Sequence, residues 1–280
     1  MSKVYNIKNF EENGFAAPLY LSKENQSLDF EKDYFDFQKK SLKHFNRKIS
    51  VKPNLLSVFF DKLTFDKEII RHVKSLIGND IYIWSSAIFF KGPSDGKIVS
   101  YHQDNPYWQL TTENVVTAWI ALTASNEHCG ALEIVPGSYK LGLIKKLDIS
   151  NPRQAYLKGL KTTQEKDLLS YNQNLEDFIK NNKPEIINLK PGQFSLHHIN
   201  AVHGSGVNES NKNRIGFAIR YISSQTKHKT EAKDSAVHVS GIKSKYFLDE
   251  LRPTKDFSCE AINAFNKAME SAGAFGNKKY

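Results

Sequence analysis

The sequence predicts an α+β fold in which helices precede two blocks of strands. In residues 1–79, apolar side chains recur at helical spacing among charged ones, as in amphipathic helices. Residues 80–140 and 184–222 contain short runs rich in β-branched and aromatic residues that end near glycine or proline, which is typical of strands. We find no internal repeat, so periodicity predicts mixed helices and strands without fixing how the strands pair.

The order of these segments predicts one domain over residues 1–280. Residues 1–79 are expected to form a helical support for the strands. The polar residues 141–183 are expected to form an insertion that covers a site as a lid, since long loops often carry substrate contacts. Residues 223–280, which are polar and rich in lysine, are expected to form a C-terminal extension.

The helical third predicts four elements in order. Residues 10–21 predict a short helix or turn, followed by an extended link through Pro18. Helices are then predicted over residues 27–48, 54–60 and 66–77. Gly78 is the expected C-cap of the last helix, because glycine adopts the backbone conformations that end helices without steric cost.

Strands dominate the rest of the chain. Extended runs are predicted from residue 81 to residue 122, with a turn at residues 92–96. Further strands are predicted over residues 130–135, 184–194 and 215–222. Helices are predicted within the insertion, over residues 163–181, and near the C-terminus, over residues 259–272.

Composition favours a globular, cytoplasmic protein. With 280 residues, of which 40% are hydrophobic, the chain can bury a substantial core. No stretch approaches the roughly 20 apolar residues that cross a membrane, and the first residues lack the apolar core of a signal peptide. Two cysteines, Cys129 and Cys259, do not make a disulfide framework, which favours a reducing compartment.

The net charge of +9 raises the question of a nucleic-acid partner. Lysines supply nearly all of the excess and are scattered along the chain, whereas nucleic-acid recognition favours clustered arginine and lysine. We therefore expect neither a nucleic-acid nor a membrane partner, and a surface charge that steers small anions. The residues favour no particular oligomeric state.

Three side chains form a candidate metal site. His102 and Asp104 follow a predicted strand, and because side chains alternate in an extended chain, both would project from one face while Gln103 turns away. A hydrogen-bonded pair at a strand end would explain these two residues equally well. His203 supplies a third ligand, in an extended apolar run that ends in glycines. Two histidines and one carboxylate form the facial triad suited to non-haem Fe(II) and dioxygen.

An ordered set of motifs surrounds these residues. His102-Gln-Asp104 is followed along the chain by His203-Gly-Ser-Gly-Val-Asn-Glu-Ser-Asn-Lys-Asn-Arg214. The other motifs are Phe10-Glu-Glu-Asn-Gly-Phe15, Val116-Thr-Ala-Trp-Ile-Ala-Leu122 and Gly130-Ala-Leu-Glu-Ile-Val-Pro-Gly-Ser138. Together, over roughly residues 8–222, they resemble the phytanoyl-CoA dioxygenase family of Fe(II)- and 2-oxoglutarate-dependent oxygenases.

The resemblance implies a double-stranded β-helix, the cupin-like jelly roll, flanked by the N-terminal helices. It also implies that Arg214, Ser205 and Trp119 contact 2-oxoglutarate. A guanidinium suits the far end of a dicarboxylate because it can hold a carboxylate by two parallel hydrogen bonds. Arg220 is the alternative anchor, a surface salt bridge is the alternative role of Arg214, and core packing is that of Trp119.

The implied activity is that of a 2-oxoglutarate-dependent non-haem iron dioxygenase. With Fe(II) and O2, and ascorbate as a reductant, the cosubstrate would yield succinate and CO2 while an unactivated C–H of a small molecule is hydroxylated. Asp104 stands where related halogenases have Gly or Ala, so hydroxylation is expected rather than chlorination. Gln103, Tyr107 and Trp108 are candidate substrate contacts, with packing under a loop as the alternative for the two aromatic residues.

The sequence also carries two competing interpretations. A cupin-like metal enzyme without cosubstrate would use the same barrel but commonly has more histidines, and it would leave Arg214 unexplained. A non-catalytic jelly-roll metal-binding protein would not need the triad together with that arginine. His197 and His198 precede the third ligand on one strand, so at most one of them is expected to face the cavity, in a supporting role. Cys129 is expected to be a buried small residue.

Overall fold

The computed structural model describes residues 7–108, 110–145, 163, 165–169, 173–229 and 234–272. Its helices are α1 (Phe10–Asn13), α2 (Lys23–Gln26), α3 (Phe30–Phe45), α4 (Val58–Thr64), α5 (Lys67–Ile77), α6 (Asn105–Trp108), α7 (Glu176–Asn181) and α8 (Cys259–Ser271). Turns of 3-10 helix lie at Ile7–Asn9, Pro53–Leu55, Glu127–Cys129 and Ser138–Leu141. Within these ranges no helix is both long and apolar enough to cross a membrane.

The strands form two sheets. They are β1 (Phe15–Tyr20), β2 (Ile81–Lys91), β3 (Val99–His102), β4 (Val115–Ala121), β5 (Leu132–Ile134), β6 (Glu185–Ile187), β7 (Gln193–His198), β8 (His203–Ser205), β9 (Arg214–Ser223), β10 (Ser235–Ser240) and β11 (Leu248–Asp249). The larger sheet has the order β1-β7-β4-β9-β2-β10-β11, and the smaller has the order β3-β8-β5-β6. The strands pair antiparallel except for β10 with β11. The α+β class is therefore confirmed.

The larger sheet is covered on both faces, which places the site between the sheets. On β4, Val116, Ala118 and Ile120 face a core that they share with Phe37 of α3 and Phe60 of α4. The alternate residues of β4 face the smaller sheet, where Trp119 and Ala121 pack in one cluster with Leu132 and Ile187. A strand buried on both faces reads as a continuous apolar run, as residues 115–121 do. The cavity described below opens between these inner faces.

The supporting helices agree with the sequence where strong caps define them. The predicted helices 27–48 and 66–77 correspond to α3 and α5, whose N-cap side chains, Asp29 and Asp66, accept hydrogen bonds from backbone N–H groups of the first turn. The helix predicted at residues 54–60 is displaced. Ser57 has an extended backbone, with φ −134° and ψ 129°, so the 3-10 turn at Pro53–Leu55 ends before it and α4 begins after it.

Three strand predictions need correction. The extended link near Pro18 is strand β1, which pairs with β7 at one edge of the larger sheet. The C-terminal extension contributes β10, which pairs with β2 inside the same sheet. Within the predicted run of strands from 81 to 122, residues 105–108 instead form the single helical turn α6. Both strands depend on pairing partners that are distant in sequence, whereas α6 includes a local hydrogen bond from Tyr107 N–H to Asp104 O at 3.0 Å.

The predicted insertion is described in part. Of the helix predicted over residues 163–181, the described residues show only α7 as helical. Asp167 forms an isolated bridge with Ile98 and accepts hydrogen bonds from Ser100, which ties this segment to β3. Residues 146–162, 164 and 170–172 of the predicted lid lie outside the described residues.

Candidate metal centre

Two neighbouring strands of the smaller sheet bring the histidines together. His102 ends β3 and His203 begins β8, and the two residues are direct cross-strand partners. Side chains at paired positions project from the same face, so the two imidazoles lie side by side with ring centroids 4.1 Å apart. Asp104 lies two residues beyond the end of β3, where its backbone N–H donates to Ile199 O at 3.0 Å. The three side chains therefore converge where β3 ends and β8 begins.

The three side chains form a buried cluster with the spacing of a metal site. One ligand atom from each of His102, Asp104 and His203 lies within 4.8 Å of the others. His102 Nε2 is 3.6 Å from Asp104 Oδ1. All three residues are buried, with at most 7% of their surface exposed. Three ligand atoms this close can contact a single ion.

Backbone carbonyls fix which imidazole nitrogen faces the cluster. His102 Nδ1 lies 2.9 Å from Ser100 O, and His203 Nδ1 lies 2.9 Å from Ala201 O. A carbonyl oxygen can only accept, so each Nδ1 carries a proton, and in the neutral ring Nε2 then keeps a lone pair that can bind a metal. Burial also lowers the pKa of His203 well below its ordinary value, which keeps that ring neutral. Two neutral imidazole nitrogens and a carboxylate are the donor set that non-haem Fe(II) uses.

Asp104 is held in its ionised form by its neighbours. Burial alone would raise its pKa, but the adjacent imidazoles, first His102 and then His197, hold the pKa below its ordinary value. Oδ1 faces His102, while Oδ2 accepts a long hydrogen bond of 3.5 Å from Thr117 Oγ1 and lies 3.8 Å from His197 Nε2. One carboxylate oxygen is therefore directed to the cluster and the other to β4 and β7.

A buried arginine lies in the same cavity, beside Ser205. Arg214 is 2% exposed and donates through Nε and Nη2 to Gly130 O, at 3.1 and 2.5 Å, and through Nη2 to Ser205 Oγ at 3.0 Å. Its guanidinium lies 5.2 Å from the centroid of the Trp119 ring. Burial lowers the pKa of Arg214 to about 10, so it remains charged at neutral pH. The three residues expected to contact a cosubstrate therefore adjoin one another.

Lys91, which no sequence motif identified, belongs to this group. Lys91 ends β2, is directly opposite Arg214 on β9, and is fully buried. Its Nζ donates to Ser205 Oγ at 2.5 Å and to the backbone oxygens of Ser205 and Gly206. Burial, followed by repulsion from Arg214, lowers its pKa to about 6. A lysine that ends a long apolar strand was the signal available in the sequence, but it is one lysine among many.

The two arginines of β9 occupy different parts of the cavity. Arg214 and Arg220 both line it, but Arg214 lies next to Ser205, whereas Arg220 is paired with Thr117 of β4. The Arg220 guanidinium lies 5.8 Å from the centroid of the Phe89 ring and 5.5 Å from that of Trp108. Of the two, only Arg214 is placed beside Ser205, the serine of the His203 motif.

The expected substrate contacts separate into two groups. Tyr107 and Trp108 line the cavity from α6, and the Tyr107 ring lies 5.6 Å from that of His102. Gln103 is a correction, because its side chain points away from the cavity. Its amide donates to Gly142 O at 2.7 Å and to Asn200 O at 2.8 Å. Gln103 therefore joins two loops behind the site, as the alternation of side chains along the chain requires.

Of the two histidines on β7, His197 faces the cavity. It is 2% exposed, its ring centroid lies 4.6 Å from that of His203, and neither of its ring nitrogens has a hydrogen-bond partner among the described residues. His198 instead accepts a hydrogen bond from Asn200 N at 3.1 Å. Cys129 is buried and free, as expected of a small packing residue.

The chain is similar in sequence to known dioxygenases. The family model described as phytanoyl-CoA dioxygenase (PhyH) matches residues 15–216. A probable alpha-ketoglutarate-dependent hypophosphite dioxygenase of Stutzerimonas stutzeri is 27% identical over 169 residues, which are 60% of this chain and 54% of that protein. An ectoine dioxygenase of Halomonas elongata is 29% identical over 159 residues, 55% of this chain and 47% of that protein. The chain thus spans about half the length of the curated relatives it matches.

Two solved structures show the same fold. The apo form of the non-heme monooxygenase ThoJ superposes with a TM-score of 0.76 at 23% identity, covering 95% of each chain. CytC3 with Fe(II) and alpha-ketoglutarate superposes with a TM-score of 0.62 at 19% identity, covering 90% of this chain and 94% of that chain. At these identities the likeness concerns the fold.

Proposed function

The chain belongs to the phytanoyl-CoA dioxygenase family, and from this premise we propose that it is an Fe(II)- and 2-oxoglutarate-dependent dioxygenase. The proposed reaction hydroxylates an unactivated C–H of a small molecule and releases succinate and CO2. The observation that carries the proposal is the buried cluster of His102, Asp104 and His203 in one cavity with the buried Arg214. The relatives named above, a probable hypophosphite dioxygenase and an ectoine dioxygenase, support a small-molecule substrate.

We also propose that the two facing sheets form a double-stranded β-helix within a single domain over residues 1–280. The antiparallel pairing of both sheets and the cluster between their inner faces support this architecture. The described part of residues 223–280 supports a single domain, because β10 pairs within the larger sheet.

The iron would be held by His102, Asp104 and His203. The Nε2 lone pairs and the ionised carboxylate fit this metal, since carbonyl oxygens already engage both Nδ1–H groups. When bound, Fe(II) would supply the dioxygen chemistry that couples decarboxylation of the cosubstrate to hydroxylation. The chain's own task is to keep the three ligand atoms together and to exclude bulk water, which the burial of all three side chains achieves.

Arg214, Ser205 and Lys91 would hold the far carboxylate of 2-oxoglutarate. The described hydrogen bonds of Arg214 use Nε and Nη2, so Nη1 can donate to a carboxylate. Ser205 Oγ lies between Lys91 Nζ and Arg214 Nη2, which fixes its position for an incoming oxygen. Trp119 would form a wall of this pocket, because its ring packs beside the guanidinium.

Succinate formation tests this proposal without knowledge of the substrate. We would measure succinate from 2-oxoglutarate under air with Fe(II) and ascorbate, in wild type, His102→Ala and Arg214→Ala. His102→Ala should weaken metal binding by more than about a hundredfold, because even outer partners of metal ligands contribute about 10- to 100-fold. Arg214→Ala should weaken 2-oxoglutarate binding by about tenfold or more, since charge-assisted hydrogen bonds contribute about 1.5–3 kcal/mol.

The exposed residues His128 and Arg71 provide matched controls, and His128→Ala and Arg71→Ala should leave succinate formation unchanged. No iron-dependent succinate from the wild type, or full activity in His102→Ala, would contradict the proposal. Metal binding without 2-oxoglutarate binding or turnover would instead support the alternative, a non-catalytic or cosubstrate-independent jelly-roll metal-binding protein.

A further inference from the structure

We propose that the substrate carries an oxyanion, either a carboxylate or a phosphoryl group, and that Arg220 binds this group at the end of the cavity away from Arg214. The inference deepens the proposed function and rests on it, because it assigns a substrate class to the same cavity.

The first observation is the position of the two arginines on one strand. Residues 214, 216, 218 and 220 alternate with core residues along β9, and Arg214, Ala218 and Arg220 all line the cavity. Asp104 lies at the Arg220 end, because Thr117, which donates to Asp104 Oδ2, is directly paired with Arg220. A cosubstrate that extends from the metal ligands to Arg214 therefore leaves Arg220 beside the metal ligands, at the end of the cavity away from Arg214.

The second observation is a row of polar residues at the level of Arg220. Across neighbouring strands, His197 of β7 pairs with Thr117 of β4, Thr117 pairs with Arg220, and Arg220 pairs with Ser85 of β2. All four residues line the cavity. The next row towards Arg214 contains Ser195, Trp119, Ala218 and Ala87, and its one hydroxyl, that of Ser195, is not among the described groups that line the cavity. The polar groups that face a substrate are thus concentrated at one level of the sheet.

The third observation is that aromatic rings frame the guanidinium. Arg220 lies near the rings of Phe89 and Trp108, and the Trp84 ring is 5.5 Å from that of Trp108. Rings beside a guanidinium restrict its orientation and reduce local hydration, which strengthens its hydrogen bonds to an anion. A guanidinium has five N–H donors and can therefore bind two oxygens of one oxyanion while serving other acceptors.

The fourth observation is the buried imidazole of His197 in the same row. Its Nδ1 lacks a hydrogen-bond partner within the described residues, and its Nε2 lies 3.8 Å from Asp104 Oδ2, beyond hydrogen-bond distance, while the side chain is 2% exposed. A buried polar group without a partner is costly unless a ligand or water satisfies it. An oxygen of a substrate anchored on Arg220 would supply an acceptor at this level of the cavity.

The charges of the cavity wall favour an anion over a neutral group. Among the described lining residues, the cations are Lys52, Arg214 and Arg220, and the carboxylate is Asp104. Lys52 forms a buried ion pair with Glu250, and Arg214 belongs to the proposed cosubstrate pocket. Arg220 is the lining cation at the level of Thr117 and His197.

Binding measurements test this assignment directly. The protein would be loaded with Ni(II), which prevents turnover, and saturated with 2-oxoglutarate so that Arg214 is occupied. Alkyl carboxylates and alkylphosphonates would then be compared by calorimetry with the amides and alcohols of the same chain length. We expect at least one anion series to bind about tenfold more tightly than its neutral analogues, as charge-assisted hydrogen bonds to Arg allow. The two series distinguish a carboxylate substrate from a phosphoryl one.

Variants attribute the preference to one side chain. Arg220→Gln should remove the preference for anions, Arg220→Lys should retain part of it, and the exposed control Arg47→Gln should keep it in full. The assignment is wrong if neutral analogues bind as well as anions, if no anion binds, or if Arg220→Gln keeps the wild-type preference. Circular dichroism of each variant shows whether it is folded.

Failure of the oxygenase proposal can be distinguished from failure of the Arg220 assignment. If 2-oxoglutarate does not bind to the Ni(II)-loaded protein, the oxygenase proposal is wrong. The same titration of anions against neutral analogues, repeated without metal and cosubstrate in wild type and Arg220→Gln, then still decides whether Arg220 binds an oxyanion.

Discussion

Lys91 is a buried residue whose protonation state should change when a carboxylate binds beside it. Its Nζ lies among oxygens of Ser205 and Gly206, with Arg214 on the neighbouring strand. Burial and the charge of Arg214 lower the pKa of Lys91 to about 6, so the amine is mainly neutral above that pH. A carboxylate bound beside it would favour the charged form and raise the pKa again.

Binding of 2-oxoglutarate should therefore take up a proton at pH 7.5. Below pH 6 the free amine is already charged, so the uptake should disappear as the pH falls through the pKa of about 6. Calorimetry of the Ni(II)-loaded protein in HEPES and in Tris, whose ionisation enthalpies differ, measures the number of protons. Lys91→Met should abolish the uptake, and the exposed control Lys190→Met should retain it. Equal uptake in Lys91→Met and wild type would contradict this role.

At the residue scale, the sequence predicted those members of the site that carry a recognisable spacing. His102, Asp104 and His203 were expected to share one site, and the structure brings them together. Lys91 could not be identified in this way, because its significance depends on a cross-strand partner, Arg214, that is far away in sequence. Alternation along an extended chain explains why Gln103 turns away, but the sequence did not show that its amide joins two loops.

At the scale of secondary structure, β4 and β9 pack closely because Gly216 has no side chain. Gly216 is directly opposite Ala121, and the Trp119 ring lies across it. A Cβ at position 216 would lie 1.9 Å from Trp119 Cζ2. The glycine is required for space, and the tryptophan beside Arg214 keeps its position because of it.

Gly216→Ala should therefore destabilise the protein, by about 1–3 kcal/mol for an overpacked core position. Thermal unfolding measures the loss, and Gly206→Ala is the matched control, since a Cβ there meets only Glu133 Oε1 at an ordinary 3.8 Å. Trp119→Phe in the Gly216→Ala background should restore part of the stability by removing the clashing ring. If Gly216→Ala melts like the wild type, the strands are less tightly fitted than described.

Strands with a local apolar pattern were predictable, while those defined by distant partners were not. β2, β4 and β9 lie where extended runs were expected. β1 is short and contains Pro18, which weakens its local signal, and it is a strand because β7 pairs with it. β10 follows a polar stretch and is likewise defined by its pairing with β2. Local propensity is a weak guide where pairing decides the structure.

At the scale of the whole molecule, the C-terminal segment closes onto the N-terminal third. Lys52 forms an ion pair with Glu250, and both side chains are only 3% exposed. Arg252 donates to both carboxylate oxygens of Asp61 in α4. Phe257 packs in the core with Phe37 of α3. These contacts join two parts of the chain that the sequence analysis treated as a separate support and extension.

Glu250→Gln should cost about 3–5 kcal/mol of unfolding free energy, because it leaves the charge of Lys52 buried without its partner. The double variant Lys52→Met with Glu250→Leu should recover most of this loss, since two apolar side chains need no charge partner. Urea denaturation of the three proteins gives the comparison. A single variant within about 1 kcal/mol of wild type would instead place the pair in the range of solvent-screened bridges.

Arg214 and Arg220, both on β9, are held at a fixed distance from each other along the cavity. From residue 214 to residue 220, at about 3.4 Å per residue, a strand places their Cα atoms about 20 Å apart. Both residues belong to a strand held on either side by β4 and β2, so loop movements cannot change that separation. If the cosubstrate is anchored at one end and the substrate at the other, the strand acts as a ruler. The carbon that reacts is then selected by its distance from the anchored group, and not by its intrinsic reactivity.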